Sequence, residues 1–218
     1  MKLFCEIIVM GLVMLGNLLG PAERRIGILG GSFDPIHIGH LMLADTALEV
    51  FELEKVYFMP CADQPLKAGG AHAGEDARKA MVLAGIEGHP GFSFLGIELE
   101  RGGCSYAVDS LEEMHKRYPE HVLYFMIGAD KVAELPQWKS VERLASLCRF
   151  GVFPRPGGHA DNKLACEHGI QLDYAPYARQ VEVSSSEIRH RVAEGQSIRY
   201  LVPDSVGMII AERHLYTG

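Results

Sequence analysis

The chain contains neither a G-x-x-x-x-G-K-[ST] stretch nor a G-x-G-x-x-G stretch, which removes the P-loop and the dinucleotide fingerprint as ways of holding phosphate. It also lacks any C-x-x-C spacing. Its five cysteines, Cys5, Cys61, Cys104, Cys148 and Cys166, are scattered and odd in number, so neither a disulfide framework nor a zinc site is indicated, and a reducing cytoplasm is the expected location. No basic run occurs and the net charge is −7, so a nucleic-acid partner is not expected. Internal repeats and low-complexity tracts are absent too. What remains is ordinary globular composition. With 48% hydrophobic and 22% charged residues, 218 residues suffice for one substantial core and are rather short for two.

Long apolar runs are scarce, with one exception at the N-terminus. Leu3 to Leu19 is almost wholly apolar, interrupted by Glu6, Gly11, Gly16 and Asn17, which makes it marginal as a spanning helix or signal peptide. Arg24-Arg25 follow it, so an inserted segment would keep the rest of the chain cytoplasmic. The preferred reading is an extension of the gene model, with Met10 or Met14 as the true start. Residues 1–23 are therefore set apart from a single domain over residues 24–218, and membrane contact is expected only if the segment is real. Composition leaves a homo-oligomer open.

The richest stretch runs from Arg24 to His40. Ile26, Ile28 and Leu29 form a short apolar run ended by Gly30-Gly31, as expected of a covered parallel strand feeding a tight turn where backbone can approach a ligand. Asp34-Pro35 reads as the start of a helix, with Asp34 as N-cap and Pro35 at the first helical position. His37 and His40 would then share one face of the first turn. Two imidazoles at a helix N-terminus converge with its dipole on an anion. A metal is the lesser reading of the pair, because no third ligand is evident beyond Asp34.

Further along, apolar periodicity predicts helices over Leu41–Phe51, Glu75–Ile86, Tyr106–Arg117, Val141–Ala145, Ser184–Ala193 and Ser205–Arg213. Strands are predicted at Lys55–Met59, Phe92–Leu99, Val122–Ile127 and Cys148–Phe153. Strands alternating with helices imply an α/β fold, a doubly wound parallel sheet with its crevice at the carboxyl ends of the strands. Ser184 and Glu187 form a capping-box pattern, while Ser185, Ser186 and Arg189 at that helix end suit phosphate oxygens. Gly128 and Asp130 follow a buried strand, where a carboxylate can accept from ribose hydroxyls or simply cap a helix.

The segment Gly30-Gly31-Ser32-Phe33-Asp34-Pro35-x-His37-x-Gly39-His40 resembles the H-x-G-H nucleotidyltransferases, and in its extended form the bacterial nicotinate-nucleotide adenylyltransferases. His37-Ile38-Gly39-His40 is also the HIGH string of class I aminoacyl-tRNA synthetases, but the acidic chain lacks their basic surface. Several other segments are similar to motifs of the same family. Val183-Ser184-Ser185-Ser186-Glu187-Ile188-Arg189 looks like its I-S-S-T-x-I-R, with Val183 for Ile and Ser186 for Thr, Gly128-Ala129-Asp130 its I-G-x-D, and Ser105-Tyr106-Ala107 its S-Y-T. Phe153-Pro154-Arg155-Pro156-Gly157 looks like its strand-end R-P-G, and Met59 to Lys67 its P-x-x-x-P-P-H-K loop. Further departures fall in the Met59–Lys67 loop, where Leu66 replaces a histidine and Asp63 stands where asparagine is common, and at Ala107, which lacks the threonine hydroxyl.

The resemblance implies a Rossmann-like fold and adenylyl transfer from ATP, with Mg²⁺, to nicotinate mononucleotide in NAD biosynthesis. It implies that Gly30, Gly31, Ser32, Phe33, His37, Gly39, His40, Gly128, Asp130, Arg155, Ser185, Ser186 and Arg189 contact ATP. Asp63, Lys67, Tyr106, Ala107 and Trp138 would contact nicotinate mononucleotide, with Trp138 stacking on the pyridine. The catalytic set would be His37, His40, Lys67 and Arg189. As the only tryptophan, Trp138 could equally serve the core. The alternatives are an enzyme adenylating nicotinamide mononucleotide or phosphopantetheine, and a nucleotide sensor without turnover.

Overall fold

A computed structural model describes residues 23–62, 71–154, 167–175, 178–179 and 181–217. The expectations for the N-terminal apolar segment, and for Asp63, Lys67 and Arg155, lie outside the described residues. Six strands form one sheet: β1 (Arg24–Gly31), β2 (Lys55–Pro60), β3 (Phe92–Phe94), β4 (His121–Gly128), β5 (Cys148–Phe153) and β6 (Leu172–Tyr174). Their order is β3-β2-β1-β4-β5-β6 and every pairing is parallel. The chain leaves β1 in one direction and returns at β4 on its other side, so the sheet reverses between these two strands. A crevice opens at such a reversal.

The central strands are apolar throughout because both faces are covered. Along β4, Leu123, Phe125 and Ile127 face one core with Ile26, Ile28, Phe150 and Val152. Tyr124 and Met126 face the other, with Leu29, Val56 and Phe58. On the first face lie α3 (Ile97–Arg101), α4 (Ala107–Arg117), a 3₁₀ segment (Ala129–Gln137) and α5 (Val141–Leu147). On the second lie α1 (Ile38–Val50), α2 (Glu75–Ile86), α6 (Ser185–Ala193) and α7 (Asp204–Glu212). Among the described residues no helix is long and apolar enough to cross a membrane.

Most predicted elements are present, and three differ for identifiable reasons. The strand expected over Phe92–Leu99 stops at Phe94: the Leu95 amide makes one last bond to the Phe58 carbonyl, and after Gly96 the chain turns into α3, burying Ile97. Alternating apolar residues over so short a run suit either state. The edge strand β6 has three residues and no fully buried side chain, so it leaves no apolar signal. Finally, Asp34-Pro35 does not start a helix. The first helix begins at Ile38 with His37 as N-cap, and the Asp34–Pro35 peptide is cis.

Candidate active site

What holds Asp34 away from a helix start is a set of partners distant in sequence. Its carboxylate is 1% exposed and accepts hydrogen bonds from the His72 amide (2.7 Å), the Ala73 amide (3.1 Å) and the Tyr216 hydroxyl (2.7 Å). Burial and this carboxylate together push the Tyr216 phenol well above its ordinary range. Arg189 completes the knot, its Nη1 donating to the Asp34 carbonyl at 2.8 Å and lying 3.9 Å from Oδ2. The turn after β1 is thereby tied to the start of α2, to α6 and to the end of the chain.

Within that turn, Phe33 has φ of 45°, in the left-handed region that non-glycine residues rarely occupy. Its buried ring meets the His40 imidazole edge-on at 5.0 Å. His37 and His40 are stacked, with ring centroids 3.7 Å apart and planes at 28°. The His37 amide donates to Nδ1 of His40 at 3.3 Å, which fixes the orientation of the ring. Gly39 permits the stack, since a Cβ there would stand 3.1 Å from Nδ1 of His37.

His40 forms part of the wall of a cavity of about 790 Å³ at the carboxyl ends of β1, β2 and β4. Gly30, Gly31, Ser32 and Gly128 line it, and so do Ser105, Tyr106, Ala107 and Trp138. A Cβ on Gly30 would press on Phe125 at 3.2 Å, so the close strand packing beneath the cavity needs this glycine. Tyr106 is the N-cap of α4 in extended conformation, and no side chain caps this helix. Tyr106 and Ala107 line the cavity, so the positive dipole end of α4 lies at its wall. Trp138 packs edge-on against Phe125 and Phe150 with centroids 5.8 and 6.2 Å apart. One ring thus lines the cavity and packs against the core.

Other expected contacts sit differently from the sequence reading. His37 is 6% exposed and lies behind His40 rather than in the cavity wall. Ser184 caps α6 as expected, accepting from the Glu187 amide at 3.1 Å. The Ser185 hydroxyl, expected to face ATP, donates instead to the Pro35 carbonyl at 2.9 Å. Arg189 Nη2 donates to Ser186 Oγ at 3.1 Å within α6, so one of its N–H donors holds the turn and another its own helix. Asp130 is exposed in the first turn of the 3₁₀ segment, two residues beyond the Gly128 that lines the cavity. Among the described residues no group of three or more His, Cys, Asp or Glu side chains could hold a metal.

A cytidylyltransferase-like family model matches residues 28–191. A protein of Desulfitobacterium hafniense named probable nicotinate-nucleotide adenylyltransferase is 40% identical over 198 residues, 88% of this chain and 96% of its own. One of the same name from Gemmatimonas aurantiaca is 42% identical over 197 residues, covering 88% of this chain and 92% of its own. The chain belongs to the nicotinate-nucleotide adenylyltransferase family. In fold it is similar to a Plasmodium falciparum nicotinic acid mononucleotide adenylyltransferase complexed with NaAD, with TM-score 0.72 at 20% identity over 89% of this chain and 98% of that one.

Within this nicotinate-nucleotide adenylyltransferase fold, three charged residues line the cavity or hold its wall without having stood out in the sequence. Lys139 lines the cavity with Nζ 4.2 Å over the Tyr106 ring and 3.2 Å from Asp109, which places a cation beside the start of α4. Its one sequence signal is adjacency to Trp138. Glu98, 4% exposed, also lines the cavity; its Oε1 accepts from the Ser110 hydroxyl at 2.7 Å, and Arg101 donates to that same hydroxyl at 2.9 Å. This relay fixes the first turn of α4 against α3. The third is Arg78, whose partners are backbone carbonyls and hence invisible to motif reading.

Proposed function

We propose that this chain transfers the adenylyl group of ATP to the phosphate of nicotinate mononucleotide, giving deamido-NAD and pyrophosphate. One observation carries the reading: a single cavity joins the glycine ends of β1 and β4 and His40 to the uncapped start of α4 and Trp138. The first group suits a nucleotide phosphate. The second suits an aromatic ring bearing a carboxylate, which the α4 amides and Lys139 would receive while Trp138 stacks on the ring. Ala107 has no hydroxyl to offer, so recognition there is by backbone.

The attacking group is a phosphate monoester, already an anion at neutral pH, and needs no general base. One of its oxygens forms a bond to the α-phosphorus of ATP as the bond to the bridging oxygen of the β-phosphate breaks, and pyrophosphate leaves with the electron pair. Catalysis then reduces to alignment and charge stabilisation. His40 donates to the α-phosphate as charge builds there, held by the His37 stack and the Phe33 edge. Arg189, Ser186 and Lys67 hold the departing pyrophosphate, Asp130 the ribose, and Arg155 packs on adenine. Mg²⁺ would enter as MgATP, part of the substrate, with its charge on the phosphate oxygens.

Incubation of the full chain with MgATP and nicotinate mononucleotide, followed by mass spectrometry, tests the reading. Deamido-NAD and pyrophosphate in equal amounts are expected. ATP binding without pyrophosphate release would leave a nucleotide-binding protein without turnover, and release with phosphopantetheine alone would change the acceptor.

A further inference from the structure

Arg78 is the fourth residue of α2, and its side chain is 1% exposed. Its Nη1 donates to two carbonyls at once, Ser32 at 2.9 Å and Cys61 at 2.7 Å. Ser32 follows β1, Cys61 follows β2, and both line the cavity. One guanidinium thus ties together the turns leaving two adjacent strands, the first carrying the glycine turn and the second leading toward Lys67.

Local preference does not account for an arginine at this place. A cation in the first turns of a helix meets the positive end of the dipole, and a buried guanidinium is costly unless paired. Among the described residues no carboxylate lies within ion-pair distance of Arg78, and its Nε is buried without a hydrogen-bond partner. The nearby buried carboxylate, Asp34, is 3.9 Å from Arg189. Asp34 answers Arg189 and accepts from two amides and Tyr216, so among the described residues Arg78 keeps its charge at the base of the glycine turn with no carboxylate of its own. In an interior that screens weakly, such charge acts on an anion bound at the turn without touching it.

We propose that Arg78 is a positioning residue for the nucleotide phosphates. It fixes the Ser32 and Cys61 turns in register with each other, and it keeps behind them a positive charge that the bound polyphosphate neutralises. The proposal rests on the reading of the cavity as an ATP site.

The test uses full-length Arg78→Lys, Arg78→Gln and Arg78→Met variants. Two quantities are read: pyrophosphate release over a range of MgATP and nicotinate mononucleotide concentrations, and the rise in Tm that MgATP produces. Arg78→Gln and Arg78→Met are expected to lower kcat/KM for ATP by about tenfold or more and to lose most of the MgATP-induced rise in Tm. KM for nicotinate mononucleotide should stay within about twofold, and Arg78→Lys, which keeps the charge, should recover most of the loss. Unchanged ATP parameters, equal losses for both substrates, or equal behaviour of the Lys and Gln variants would overturn the proposal. Failure of all three variants to fold would overturn it as well, by making Arg78 a residue of folding alone. If the wild-type chain does not turn over, the proposed function fails, while the Tm response to MgATP still decides the role of Arg78.

Discussion

The Tyr216 hydroxyl donates a 2.7 Å hydrogen bond to the Asp34 carboxylate, joining the end of the chain to the turn beside His37 and His40. Removing the hydroxyl leaves a buried carboxylate one donor short. Tyr216→Phe should therefore lower stability by about 1.5–3 kcal/mol at neutral pH, measured by denaturant unfolding. The phenol is held above its ordinary range by burial and by Asp34, so its contribution is complete below about pH 10 and is lost as pH rises further. The gap between variant and wild type should narrow above that pH; a gap that widens would contradict this account of the bond.

His40 stands in the cavity wall with one ring nitrogen engaged by the His37 amide. His40→Ala should cost about 10²–10³ in kcat with little change in melting temperature, since the lost donor acts on charge that develops in the transition state. Steady-state kinetics beside a thermal melt checks both halves. Near-normal turnover would remove His40 from the chemistry.

Cys148 opens β5 and is buried, its sulfur donating weakly to the Leu144 carbonyl at 3.6 Å. Burial pushes its thiol up to about 12. At pH 8 the native chain should therefore take up iodoacetamide at exposed Cys104 and not at Cys148, which should react only after unfolding. Peptide mapping reads this directly, and rapid native labelling of Cys148 would be at odds with the packing of β5.

Arg149 and Asp173 join β5 to the edge strand β6 through two bonds, 2.6 and 2.8 Å long. The guanidinium holds the Asp173 carboxyl below its ordinary range. A depressed carboxyl stabilises the fold above its unfolded value, near 3.9, and the gain disappears as pH falls through the lower folded value. The pair is partly exposed, so Asp173→Asn should cost only about 0.5–1 kcal/mol at pH 7, with variant and wild type converging below about pH 4 in urea titrations.

Local features of the sequence anticipated the structure well. Glu75–Ile86 and Cys148–Phe153 begin and end as their apolar patterns indicate, and His40 and Ser184 bond to partners three residues away. Asp34 was legible only in part, because its partners come from residues 72, 73 and 216, and no local rule anticipates a carboxylate used so far from its neighbours. The same holds for Ser185, whose Pro35 partner is 150 residues away, and for Arg78 and Glu98, whose roles arise from tertiary packing. Strand β6 was missed for want of buried side chains, not for want of a pairing partner.

The central claim is that the open start of α4, with Lys139 beside it, receives the carboxylate of the pyridine ring. The most direct measurement is kcat/KM for nicotinate mononucleotide against nicotinamide mononucleotide at saturating MgATP. Charge-assisted bonds to the carboxylate predict a preference of at least about tenfold for the nicotinate form. Equal efficiency with both, or a preference for the amide, would contradict it.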